Sequence, residues 1–472
     1  MRLFEILIPV PLTIHLIWPF VSGKANPRWI NLLPLLAAVL VVAHLIFEGY
    51  RWQMVLLYLL AGILTLVALP ALFYFRADDF HRLSWLAAGR TGTLILLTAS
   101  TVLPALLPVP SIPMPSGPYQ VGTQSLILVD PSRRELYSGK DEPRKFMVQI
   151  WYPADPAPGD QHAPWMDHAT VYGRTISKYL GLPEFFLDHL ALAKTPAWRD
   201  APLKPSDGGY PMILFSHGWN GFAAQNTGQA LELASRGFVV VALQHTYGAV
   251  VTVFPDGEIA YNNPSALPGS APEQEYDIAA HLLADQWAGD MSYTLDVLGN
   301  MVMDVRGHFW GAFDFNRIGV YGHSTGGGAA IQFCGKDSRC KALLGMDPFM
   351  TSVPEEVLNS GVSQPALFMF SQRWADDMES KNARLFDEFY SRLDPATRVF
   401  AIRGTAHYDF TDLPMLSPIA PQLGLKGPLN GKRVTEIMDS TLISFFEASL
   451  NDQPSGLLDG LPIKYPEVIP LH

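Results

Sequence analysis

Arg317-Ile-Gly-Val-Tyr-Gly-His-Ser-Thr-Gly-Gly-Gly-Ala-Ala330 decides the fold of this 472-residue chain. Residues 317–321 read as a short apolar strand, and small residues from Thr325 onward open a helix over 325–334. Between them, Gly322-His323-Ser324-Thr325-Gly326 matches G-x-S-x-G. That pattern is a strained strand-to-helix turn that exposes a serine hydroxyl and needs small residues on its crowded flanks. The pattern alone is weak, and the strand before it and the helix after it supply its weight. A phosphate-binding loop is excluded, because no Gly-Lys-Ser/Thr follows the glycines.

Working outward, similar apolar runs recur at 147–152, 212–216, 238–243, 342–346, 366–371 and 399–403. Strands this apolar are buried on both faces. Helix-like stretches at 224–236, 279–306, 325–334 and 375–393 lie between them. The alternation predicts a mainly parallel sheet with helices on both faces and function at the carboxyl ends of the strands. Residues 154–205 and 255–275 break the rhythm, are rich in Pro, Asp and Ala, and read as insertions over the mouth of a site.

A serine hydroxyl becomes nucleophilic when a base takes its proton and a third group orients that base. In this architecture the chain order is serine, acid, histidine. Downstream of Ser324 only His407 and His472 remain, and His407 follows the 399–403 strand in Gly404-Thr405-Ala406-His407-Tyr408-Asp409-Phe410. Asp347 ends the 342–346 strand and is the expected acid, with Asp376 and Asp377 as rivals after the next strand. An acid capping a buried strand without such a role is an unexplained cost. Attack also builds charge on the carbonyl oxygen, and each backbone N–H aimed at it contributes about 3–4 kcal/mol. Thr325, after the nucleophile, supplies one donor, and Trp219 in Ser216-His217-Gly218-Trp219-Asn220-Gly221 supplies the other. His217 and Gly218 otherwise read as a tight turn, and His323 as a packed elbow residue.

Four stretches carry a family resemblance: Phe215-Ser216-His217-Gly218, Leu233-Ala234-Ser235-Arg236-Gly237-Phe238, Gly322-His323-Ser324-Thr325-Gly326-Gly327, and Met346-Asp347-Pro348-Phe349-Met350. From about 147 to 410 the chain resembles the plasma-type platelet-activating factor acetylhydrolases, a branch of the serine-dependent α/β-hydrolases. The resemblance implies an α/β-hydrolase fold and the same set of residues: Ser324, Asp347, His407, Trp219 and Thr325. Trp219 and Thr325 stand where that family has other side chains, and the apolar N-terminus described next is no part of that soluble family. The Gly326-Gly327-Gly328 run is also similar to bacterial polyester hydrolases and cutinases.

The first 118 residues are different material, with seven Lys/Arg and four Asp/Glu, net +3, whereas the remainder has 26 against 40, net −14. Apolar runs at 3–21, 29–47, 52–75 and 91–109 are each long enough to cross a hydrocarbon core about 30 Å thick. The first holds Glu5, His15 and three prolines, but no small-residue cleavage site follows it, which argues against a signal peptide. Lys24, Arg28, Arg76, Arg82 and Arg90 fall in loops one and three, against Arg2 and Arg51 on the other side. The positive-inside rule then puts both termini, and everything after about residue 110, on the periplasmic or extracellular side. Polar residues within the spans are sparse, chiefly His15 and His44, so 1–110 reads as an anchor rather than a transporter. Six prolines between Pro104 and Pro118 form a stiff tether, whose last part, 111–118, leads into a catalytic domain over 119–472.

The acidic body excludes nucleic acid as a partner. Two cysteines, Cys334 and Cys340, are too few for a zinc site; they form either one short-loop disulfide or two free thiols. The expectation is a membrane-anchored serine esterase acting on an ester, in the apolar case a lipid, with no metal or organic cofactor. Polyester, cutinase-like or lipase activity is the alternative. A catalytically silent hydrolase fold serving as a binding module is the non-enzymatic one, and such modules usually lack a triad member that is present here.

Overall fold

The computed structural model describes residues 1–73, 83–415, 417–422, 424–454 and 456–471, with backbone only at 83–86. Two compact units result, one built mainly from Met1–Pro110 and the other from most of the rest.

In the first unit, Leu3–Ser22, Arg28–Phe47 and Trp52–Phe73 are helices of 20, 20 and 22 residues, long and apolar enough to cross a membrane. Most of the fourth expected span, 91–109, lies in the 24-residue helix Leu83–Leu106, which carries Arg90 and several Ser/Thr side chains. Residues 74 and 75 of the third expected span, and Arg76 and Arg82, lie outside the described residues. Ile8, Leu12, Ala37, Leu57, Leu64 and Leu97 pack inward, while Val21, Ile46, Phe47, Leu66 and Val67 face outward and exposed. That inside-out balance suits hydrocarbon rather than water. Glu5, the acidic residue in the first span, is fully buried and pairs with Arg2 at 2.9 Å and with Arg51. Glu5, His44 and Glu48 have metal-ligand spacing, but those two guanidinium groups already neutralise Glu5.

The second unit contains β1 (Gln120–Arg134), β2 (Pro143–Ala154), β3 (His162–Pro164), β4 (Lys194–Arg199), β5 (Tyr210–Ser216), β6 (Val239–Gln244), β7 (Val251–Val253), β8 (Ile259–Tyr261), β9 (Phe313–His323), β10 (Cys340–Met346), β11 (Ala366–Ser371), β12 (Arg398–Ile402) and β13 (Val468–Pro470). Eleven of them form one sheet in the order β13-β12-β11-β10-β9-β5-β6-β2-β1-β4-β3, and β7 and β8 form a separate hairpin. The six strands from β12 to β6 are mutually parallel, whereas β2 joins β6 antiparallel. Helices Thr227–Ser235, Glu273–Met301, Thr325–Lys336 and Gly431–Leu450 accompany the sheet. This is the expected α/β-hydrolase arrangement.

Two expectations need correction. Residues 154–205 are not wholly an appendage, since β4 pairs with β1 and β3 with β4, extending the sheet. The single helix expected over 375–393 is two, Gln372–Ala375 and Lys381–Tyr390. Ser380 takes an extended backbone, ψ 154°, and its side chain accepts from the Ala383 amide, so it caps a new helix instead of continuing the old one. Cys334 and Cys340 form a disulfide, with their Cα atoms 5.1 Å apart.

Candidate active site

Strand register brings the site together. Ser216 pairs with Gly322 across β5 and β9, and His323 with Met346 across β9 and β10. The chain therefore leaves three adjacent strands at one edge, carrying residues 217–219, Ser324 and Asp347. Ser371 pairs with Ile402 across β11 and β12, and the turn His407–Phe410 follows.

Ser324 has φ 57° and ψ −122°, a conformation that a non-glycine residue holds only when its surroundings enforce it. Its N–H donates to the Met346 carbonyl at 3.0 Å, and its own carbonyl accepts from the amides of Gly327, Gly328 and Phe349 at 2.9, 3.2 and 2.9 Å. The flanking glycines are steric necessities. A methyl group on Gly322 would strike the Gly326 carbonyl, and one on Gly326 would strike the carbonyls of Ser216 and His217.

Asp347 is completely buried. Its Oδ1 accepts from the Ser371 amide at 2.7 Å, and its Oδ2 accepts from the Ser371 hydroxyl at 2.7 Å and from His407 Nδ1 at 2.9 Å. The carboxylate can only accept, so His407 carries its proton on Nδ1 and leaves Nε2 as the basic nitrogen. The imidazole lies flat on Trp374, with centroids 4.8 Å apart and planes at 5°. His323, next to Ser324, has its ring 4.4 Å from that of His407, and its Nε2–H donates to the His407 carbonyl at 2.9 Å. Burial holds His323 well below the usual imidazole pKa, with the neighbouring His407 adding to the effect. It is a neutral packing residue of the elbow.

The rivals go elsewhere. Asp376 and Asp377 line a cleft of about 710 Å³ beside Trp374, and His472 lies outside the described residues. On the other side, the Gly218 backbone presses against the elbow, where a methyl group would sit 3.1 Å from Ser324 Cβ. Among the described residues, the amides of Trp219 and Thr325 donate to no protein acceptor, as free oxyanion donors require. Trp219 and Asn220 border a second cleft of about 730 Å³, whose walls include Arg174, Lys178 and Tyr179 on one segment and Ile259, Tyr261 and Leu267 on another. These lie in the two segments that break the strand–helix rhythm. Phe222 is buried against Trp165 and Tyr172, and Met350 is in the core.

Sequence reasoning missed Ser371 and Trp374. Ser371 ends β11 beside Asp347, which register would give only once strand order is known; Trp374 leaves no sequence signal.

Residues 107–460 match the family model of platelet-activating factor acetylhydrolase, isoform II. The chain belongs to this family. Its members are ester hydrolases, so the chain is a carboxylic ester hydrolase, as its motifs led one to expect. A second model, described as an N-terminal domain, matches residues 1–106. Platelet-activating factor acetylhydrolase of Cavia porcellus is 26% identical over 378 residues, covering 74% of this chain and 81% of that protein. The Gallus gallus protein of the same name is 25% identical over 386 residues, covering 74% and 87%. A probable 1-alkyl-2-acetylglycerophosphocholine esterase of Arthroderma benhamiae is 24% identical over 419 residues, covering 80% and 98%. Among solved structures, a ferulic acid esterase from Streptomyces cinnamoneus superposes with a TM-score of 0.63 at 25% identity, covering 77% of this chain and all of that one.

Proposed function

We propose that this ester hydrolase is anchored in a membrane and works through an acyl-enzyme on Ser324. His407 Nε2 takes the hydroxyl proton as Ser324 Oγ attacks the ester carbonyl, and the Trp219 and Thr325 amides hold the oxyanion. The imidazolium then returns its proton to the leaving alcohol. In a second cycle the same base activates water, which releases the acid. Asp347 keeps the ring in the tautomer that makes Nε2 the base. The observation that carries this reading is the 2.9 Å hydrogen bond from His407 Nδ1 to buried Asp347, at the strand edge where Ser324 sits in its enforced turn.

An apolar ester fits the site. Tyr179, Ile259 and Tyr261 are exposed on the walls of the cleft beside Trp219, and one relative named above is a probable esterase of an ether glycerophospholipid. The likeness to a ferulic acid esterase favours a second reading, an ester of a hydroxycinnamic acid. Three long apolar N-terminal helices support the anchor, and the Cys334–Cys340 disulfide supports an oxidising, extracytoplasmic location for the body.

The test is fluorophosphonate labelling of the full chain in detergent, followed by peptide mapping. Label is expected on Ser324, and Ser324→Ala should lower kcat toward p-nitrophenyl butyrate by about 10⁴- to 10⁶-fold. Label on another serine, or unchanged turnover in the variant, would overturn the mechanism. Comparing an acetylated glycerophospholipid with a feruloyl ester separates the two substrate readings.

A further inference from the structure

We propose that His217 is a positioning residue that aims the oxyanion-binding peptide, and that Asp290 and His245 fix the ring of His217 from behind. The proposal rests on the assignment of Ser324 and the Trp219 amide made above. It begins from a second serine, histidine and aspartate set that the reaction does not use. Ser216, His245 and Asp290 are joined by hydrogen bonds, with Ser216 Oγ 2.9 Å from His245 Nε2 and His245 Nδ1 2.9 Å from Asp290 Oδ2. All three are at most fractionally exposed, at 0%, so no substrate reaches them and they are not a second catalytic centre.

Their chemistry instead propagates toward the oxyanion loop. Asp290 is held ionised by Arg144, at 2.7 Å, and by Arg133, at 2.9 Å. An ionised carboxylate accepts the Nδ1–H of His245, which leaves Nε2 to accept from the Ser216 hydroxyl. The His245 ring is clamped flat against Trp287, 4.2 Å away with planes at 5°. The fixed His245 ring and Trp287 wall in the His217 ring, with centroids 5.2 and 5.1 Å from it, and the backbone N–H of His245 donates to His217 Nε2 at 3.2 Å. A nitrogen that accepts carries no proton, so the neutral His217 ring must bear its hydrogen on Nδ1. Burial, aided by the neighbouring His245, pushes the His217 pKa down to about 3 and keeps the ring neutral. The Nδ1–H then donates to the Gly218 carbonyl at 2.7 Å.

That last bond matters because a trans peptide is planar, with its C=O and N–H pointing in opposite directions. The Gly218 carbonyl and the Trp219 N–H belong to one such plane. Pinning the carbonyl inward, through His217 and through the Gly221 amide at 2.9 Å, turns the Trp219 N–H outward. Gly218 lies against Ser324, and the proposal puts the Trp219 N–H on the side of that plane toward the nucleophile. With His217 unable to donate, a single turn hydrogen bond would hold the plane, and the donor would lose its aim.

The test compares His217→Leu, which removes the donor, with His217→Asn, whose side-chain N–H falls near the original Nδ1. In the full-length protein, His217→Leu should lower kcat about 10²-fold, the usual effect of losing one oxyanion donor, with KM little changed. Affinity for a trifluoromethyl ketone, whose adduct places an oxyanion in the same position, should fall in parallel, and His217→Asn should recover most of both. Turnover in His217→Leu close to that of the parent, a loss that the ketone affinity does not follow, or failure of His217→Asn to recover activity would each overturn the proposal. If the leucine variant does not fold, ¹⁵N histidine spectra of the parent decide the matter: an Nδ1–H signal for His217 at neutral pH is expected, and an Nε2–H or doubly protonated ring contradicts it. Fluorophosphonate labelling of Ser324 in the parent separates the two levels. Absence of label there defeats the mechanism itself, whereas label on Ser324 with an active His217→Leu defeats only the role of His217.

Discussion

Asp347 takes φ 44°, as Ser324 takes φ 57°, so two of the residues assigned to the reaction sit in backbone conformations that side chains disfavour. Each is held by neighbours that have no chemical part to play. The Asp347 amide donates to the Met369 carbonyl at 2.8 Å, and Ser371 satisfies both carboxylate oxygens. An asparagine at 347 could turn its amide N–H toward the imidazole and trap the wrong tautomer. Asp347→Asn is therefore expected to lower kcat by about 10⁴-fold, and Ser371→Ala by about tenfold, through loss of one hydrogen bond to a charged group. Asp376→Asn and Asp377→Asn should leave kcat near that of the parent. Steady-state kinetics on the four variants checks this, and a large loss at Asp376 or Asp377 would move the acid to the neighbouring loop.

At the scale of elements, the buried parallel strands were legible because their apolar runs are continuous, from 212–216 through 366–371. β1 was not, because polarity along Gln120–Arg134 does not follow burial: Ile127 and Val129 are exposed, whereas Thr123 and Asp130 are buried. The break at Ser380 was equally hidden, since a serine within a helical pattern does not announce whether it caps. In the proposed site, Ser324 was legible from its motif and His407 from chain order, whereas Ser371, Trp374 and the His245–Asp290 pair depend on contacts between distant segments. Another such contact predicts a pH response. Asp412 is buried and accepts from the Gly228 amide at 3.0 Å, at the start of helix Thr227–Ser235, and burial pushes its pKa up to about 7. Asp439, on helix Gly431–Leu450, is raised in the same direction by burial and by Glu232 and Asp412. A carboxyl with a raised folded pKa binds its proton more tightly in the native state, so its contribution to stability is complete below about pH 4 and is lost as pH rises through about 7. Thermal unfolding should move down by several degrees between pH 5 and pH 8, and Asp412→Asn should flatten that slope. A slope unchanged in the variant would assign the effect to other groups.

At the scale of the whole molecule, charge and hydropathy divide the chain at the same point, near residue 110. With loops one and three assigned to the cytoplasm, an alkaline phosphatase reporter joined after Pro118 should be active, and an inactive fusion would reverse the orientation. The disulfide links this question to lifetime. Cys334 lies in the helix that starts just after Ser324, and Cys340 opens the strand that ends just before Asp347. The two segments diverge from the reacting centre and are stapled at their remote ends, about 20 Å away along a seven-residue strand. For so short a loop, the staple stabilises by about 2 kcal/mol. Cys334→Ala combined with Cys340→Ala should therefore leave kcat intact while shortening the half-life of activity on heating. Redox conditions would then govern how long each molecule survives in service, and not how fast it works while it lasts.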